Sequence, residues 1–157
     1  MTKFQNTVKS DADISASREE VWKALTDPDL LPKLTPLLRD IHADGEIWCW
    51  QMMRIAALGV SVSPNFTEKM TFADGTRIEY THTPPDGARE RAGAEGRYEL
   101  SDIEGGTHLS VELTLCVDLP LPKAAKPAVQ RVMKATMDRT GDRFSKNLLD
   151  HLNAHEL

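Results

Sequence analysis

The stretch from Lys123 to about Leu152 limits what this chain can fold into more than any other, because it predicts one long helix. Apolar or small residues recur at Val129, Val132, Met133, Thr136, Met137, Thr140, Phe144, Leu148 and Leu152. Steps of three and four place them on one face. Arg131, Lys134, Asp138, Arg139, Asp142, Lys146 and Asp150 take the other face and suit water. Pro120 and Pro122 stop the preceding segment, and Pro127 is tolerated within the first turn. Roughly 30 residues at 1.5 Å each give about 45 Å of helix. No second long helix is written in the sequence, so the apolar face must lie against a sheet.

The rest of the chain supplies that sheet. Phe4, Val8, Ala12 and Ile14 share one parity and predict a first strand with one face inward. Ser17 and Glu20 form a capping box ahead of a short helix through Val21, Trp22, Ala24 and Leu25, which should end near Asp27 before Pro28. Three prolines in residues 28–38 allow one further helical turn or two. From Asp40 onward the period is two. Asp44-Gly45, Asp74-Gly75 and Gly105-Gly106 mark turns between strands. Residues 46–54 are apolar on both parities. Gly59 to Phe72 reads as one strand, and Thr76 to Thr83 as another. Residues 87–96 read as a loop, and Arg97 to Ile103 as a strand with Tyr98 and Leu100 inward. Thr107 to Leu119 alternates most strongly. The expected fold is α+β. A curved antiparallel sheet of about seven strands grips one long C-terminal helix, with two short helices after the first strand. Residues 1–157 are expected to form one domain.

Composition narrows the function. A net charge of −5 argues against nucleic-acid binding. No apolar run reaches the roughly 18 residues of a membrane span, and the N-terminus lacks the apolar core of a signal peptide. The expected compartment is the cytoplasm, and the expected state a monomer or homodimer. Cys49 and Cys116 have no disulfide or zinc spacing. No metal or cofactor is expected, since no HExxH, CxxC, phosphate loop or nucleophile elbow is present.

Two residue sets bear on chemistry. Trp48, Trp50, Phe66, Phe72, Tyr80, Met133, Met137 and Phe144 are candidate liners of a gap between bent sheet and straight helix. Taken singly, each is more ordinarily a core residue. The second set is polar with inward parity: Glu68 between Phe66 and Met70, His82 beyond Ile78 and Tyr80, Tyr98, and Arg54 at a strand end. If they meet, Glu68 or His82 would serve as acid or base, and Tyr98 or Arg54 would bind an oxygen. The ordinary alternative is preferred for each of the first two: a bulge turns Glu68 outward, and His82 lies exposed beside Pro84. Arg89-Glu90-Arg91 reads as a solvated loop, with a second role as a gate. Gly141 costs its helix about 1 kcal/mol relative to alanine, which close strand approach, a bend or ligand space would each explain.

The stretch from Ile14 to Pro28 (ISASREEVWKALTDP), residues 96–100 (GRYEL) and residues 105–109 (GGTHL) resemble the START-like, or SRPBCC, superfamily with its helix-grip fold. The superfamily includes birch-pollen-allergen-like proteins, polyketide cyclases and aromatases, lipid carriers and coenzyme-Q-binding proteins. The resemblance implies a cavity between sheet and helix holding a small hydrophobic or amphipathic ligand such as a lipid, quinone or polyketide-like molecule. On that basis Trp48, Trp50, Phe66, Phe72, Tyr80, Tyr98, Met133, Met137 and Phe144 are the expected ligand contacts. A cyclase or aromatase using Glu68, His82 or Tyr98 is the alternative. A protein-interaction module with a filled core is a second one. Fold alone does not choose among them.

Overall fold

In the computed structural model, which describes residues 1–157, the long helix α3 (Lys126–Leu152) follows a single 3-10 turn at Lys123–Ala125. At 27 residues it is about 40 Å long. Before it come β1 (Thr2–Ile14), α1 (Arg18–Leu25), α2 (Leu31–Leu34), β2 (Leu38–Asp44), β3 (Ile47–Met52), β4 (Ile55–Ala57), β5 (Val60–Val62), β6 (Asn65–Ala73), β7 (Arg77–His82), β8 (Ala92–Ile103) and β9 (Gly106–Leu119). Seven strands form one antiparallel sheet in the order β1-β9-β8-β7-β6-β3-β2. β4 and β5 pair only with each other.

Register follows the alternation of the sequence. β1 and β9 match Phe4 with Val117, Val8 with Leu113 and Ala12 with Leu109, so their apolar residues share a face. The core lies on that face, among Leu25, Met70, Ile78 and Leu148, each no more than 2% exposed. Burying a side chain of this size stabilises the fold by about 1.5–3 kcal/mol. The capping box forms as expected. The Glu20 N–H donates to Ser17 Oγ at 3.2 Å, and the Ser17 N–H donates to Glu20 Oε2 at 3.2 Å.

Polar side chains tie α3 to its surroundings. Asn147 donates to the carbonyl of Leu34 at 2.9 Å, and Gln130 to that of Gln5 at 3.2 Å. Asn153 ends the helix in the left-handed region, at φ 55°. The tail then returns to β1. The Ser15 N–H donates to the His155 carbonyl at 2.9 Å, and the Leu157 N–H to that of Asp13 at 2.8 Å. The C-terminus is therefore pinned to the sheet.

Three expectations about the elements are corrected. Gly59 to Phe72 is two strands, not one, because Ser63-Pro64 breaks it and frees β5 to pair with β4. Residues 92–96 are strand, since the small residues Ala92, Gly93 and Ala94 pair with β9 as far as Val117. Gly141 faces open space, so neither strand approach nor ligand explains it.

Candidate functional site

A cavity of about 170 Å³ lies between the N-terminal half of α3 and the sheet. A single water needs only about 10–15 Å³ of comparable space, so the interior here is not filled. The helix contributes Val129, Val132, Met133, Thr136 and Met137. The β4–β5 hairpin covers another side with Ile55, Ala57, Leu58, Val60 and Val62. Met52, Phe66, Ala92, Leu115 and Val117 come from the sheet. Seventeen of the nineteen lining residues are hydrophobic, so the chamber can hold apolar surface and little else.

The hairpin carries backbone strain at its tip. Leu58 and Gly59 both have positive φ, 54° and 74°, the conformation of a two-residue hairpin turn. Glycine adopts it freely, whereas leucine does so rarely. Leu58 lines the cavity and is still 48% exposed, which places the hairpin tip at its mouth.

Of the expected liners, Phe66, Met133 and Met137 line the cavity. The others do not. Trp48 and Tyr80 are buried in the core. Phe144 is half-buried and packs against it. Trp50 stacks on Phe66, with ring centroids 6.4 Å apart and planes 12° apart. Phe72 is 38% exposed and meets the rings of Trp22 and Trp48 at the far end of the sheet. The Tyr98 ring packs beside Tyr80 at 5.9 Å, and burial pushes its hydroxyl pKa up to about 12. Burial likewise raises Tyr80, whose hydroxyl donates to the Glu112 carbonyl at 3.4 Å. The cavity lies nearer the end of the sheet than the parity of the aromatics suggests.

The polar residues also depart from the preferred reading. No bulge turns Glu68 outward. It is 1% exposed and faces inward in an unbroken β6 register. Its Oε1 accepts the Ala94 N–H at 3.0 Å, while its Oε2 has no partner. Burial raises its pKa to about 8 against the opposing effect of the Ala94 hydrogen bond, and the nearby Glu95 and Glu90 carboxylates add to the rise. At neutral pH this carboxyl is therefore a neutral acid.

His82 is half-buried rather than exposed, and its ring lies against Gly93, where a Cβ would come within 2.4 Å of Nδ1. Its Nε2 is 2.9 Å from Glu90 Oε1. Glu90 also accepts the Thr67 N–H at 2.8 Å and the Thr67 hydroxyl at 2.7 Å. The acidic residue of the Arg-Glu-Arg segment is thus folded in and clasps residues 83–91 onto β6. Arg54 stays outside, exposed and hydrogen-bonded to Ser61 Oγ. No hydrogen bond joins any two of Glu68, His82 and Tyr98, and none of the three lines the cavity. Sequence reasoning missed Glu90 and the hairpin. Pro64 was the available signal for the hairpin, and no local signal marks the clasp.

No helix is long and apolar enough to cross a membrane. Residues 1–148 match the family described as "polyketide cyclase / dehydrase and lipid transport". Comparison with curated proteins gave no match. Solved structures share the fold at low identity. A Thermus thermophilus protein superposes with a TM-score of 0.70 at 15% identity, covering 94% of this chain and 97% of that one. The Zhui aromatase/cyclase from Streptomyces sp. R1128 gives 0.65 at 11%, covering 95% and 94%. A START superfamily protein from Mycobacterium smegmatis gives 0.64 at 19%, covering 94% and 97%. At these identities the likeness establishes the helix-grip fold and nothing finer.

Proposed function

This chain belongs to the polyketide cyclase / dehydrase and lipid transport family, and from that premise we propose that it binds a small hydrophobic or amphipathic molecule inside the fold. Lipids, quinones and polyketide-like compounds are the candidate classes. The observation that carries the reading is the apolar cavity beneath α3 and the β4–β5 hairpin. Removing apolar ligand surface from water would drive binding by roughly 25 cal/mol per Å². In this reading the protein works in the cytoplasm, as a monomer or homodimer.

The cyclase or aromatase reading is supported by one feature, the buried neutral carboxyl of Glu68. It ranks second because acid–base work needs a second group in hydrogen-bond reach: His82 stands opposite Glu68 across β6 and β7 but bonds Glu90 instead, and Tyr98 makes no hydrogen bond to Glu68. The filled-core interaction module fits least well beside an open cavity.

The test is native mass spectrometry of the protein as purified, followed by titration with an environment-sensitive hydrophobic dye against wild type and Val132→Trp. The indole would occupy the space between α3 and the sheet. We expect a bound small molecule in wild type and at least about tenfold weaker dye binding in the variant. A folded variant that binds dye as wild type does would overturn the assignment of the cavity.

A further inference from the structure

Two buried side-chain polar atoms in the protein make no hydrogen bond, Trp50 Nε1 and Glu68 Oε2. Buried polar groups are nearly always paired, so each such orphan calls for a cause. These two occur together. Trp50 is the cross-strand partner of Phe66, and Glu68 stands two residues further along β6. Both side chains lie on the inner face of the sheet, as diagonal neighbours whose backbones are about 7–8 Å apart. Phe66 lines the cavity and stacks on Trp50. The other oxygen of Glu68 is held by Ala94, and Leu115, opposite Ala94 in register, and Ala92, two residues before it on the same strand face, line the cavity as well.

We propose that Trp50 and Glu68 form an inner polar subsite, reached from the cavity past the Phe66 ring, that takes the acceptor oxygen of an otherwise apolar ligand, a ketone carbonyl being the simplest case. The inference rests on the cavity-binding reading above and adds the chemical class of the ligand. The indole N–H is a donor only. The Glu68 carboxyl, neutral around pH 7 because burial holds its pKa at about 8, offers a second donor through Oε2 while Oε1 stays bound to Ala94. Two unpaired donors match an oxygen with two lone pairs. They do not match a cation or a ligand amine, which brings more donors. Phe66 must shift for the oxygen to reach them, which makes that ring a positioning element.

The experiment compares two probes of matched size, 2-acetylnaphthalene and 2-isopropylnaphthalene, by displacement of the bound dye. The quantity read is the ratio of their affinities in each protein. Glu68→Leu and Trp50→Phe should each reduce the preference for the ketone by about tenfold relative to wild type. Glu68→Gln, which keeps a donor, should retain it. Raising the pH from about 7 to about 9.5 should erode the preference in wild type, because ionisation turns the donor into an acceptor, and should leave Glu68→Gln unchanged. A ratio that is the same in wild type, Glu68→Leu and Trp50→Phe would overturn the subsite while leaving the cavity in place. That is also the result if a water alone satisfies both atoms. Failure of both probes to bind wild type would instead overturn the cavity reading on which the subsite depends.

Discussion

Replacing Glu68 with glutamine should change how the stability of this fold depends on pH. The side chain is 1% exposed, and its amide replacement keeps an acceptor for the Ala94 N–H. In the unfolded chain the carboxyl titrates near 4.5, and in the folded protein near 8, chiefly because burial disfavours the charged form. Between those values the folded state holds a proton that the unfolded state has released. Stability contributed by this group is therefore complete below about pH 4.5 and is lost as pH rises toward 8. One proton gives a slope of about 1.4 kcal/mol per pH unit, or roughly 5 kcal/mol across the window. That is a large share of the 5–15 kcal/mol that stabilises a typical domain. The assay is urea unfolding of wild type and Glu68→Gln at intervals from about pH 5 to about pH 9. Asp11, lowered chiefly by its hydrogen bond from Ser110, and His108, raised chiefly by its hydrogen bond with Asp13, titrate alike in both proteins and cancel in the difference. Wild type should lose stability relative to the variant up to about pH 8 and keep that deficit, with no further change, above it. Two parallel curves would show that Glu68 is ionised at neutral pH and would remove the argument for a buried neutral acid.

Two further outcomes follow from the packing. Gly141→Ala should stabilise the protein by about 1 kcal/mol, because the new methyl meets nothing within 4 Å and alanine favours the helix; thermal or urea unfolding would check it. Glu90→Ala removes the acceptor of Thr67 N–H, Thr67 Oγ and His82 Nε2, and should cost about 3 kcal/mol while speeding hydrogen exchange at the Thr67 amide. An unchanged Thr67 exchange rate would show that the clasp does not hold residues 83–91.

Much of the architecture was legible because it rests on periodicity. The steps of three and four in α3, the alternation of β9 and the capping box at Ser17 are local patterns, and each appears where the residues place it. The site was less legible. Parity placed Tyr80 and Phe72 on the inward face correctly but left residues 46–54 undecided, and a face is not a cavity. Where the helix stands off from the sheet depends on the bend of seven strands together, and that shifted the chamber toward Phe66, Met133 and Met137.

By itself, then, the sequence determined the inward face of α3 and of the strands with clear alternation, and the broad order of helix and strand, since both follow from side-chain spacing along the backbone. Only the tertiary structure decided the fate of Glu68 and Glu90. A carboxylate between Phe66 and Met70 is costly to bury, and sequence reasoning therefore favours turning it outward. The fold keeps it inside because the Ala94 N–H from β8 supplies a hydrogen bond and burial keeps the group protonated. Glu90 lies 23 residues from Thr67, and its clasp exists only once β6, β7 and the returning loop are in register. Such contacts join elements distant in sequence, and no local pattern encodes them.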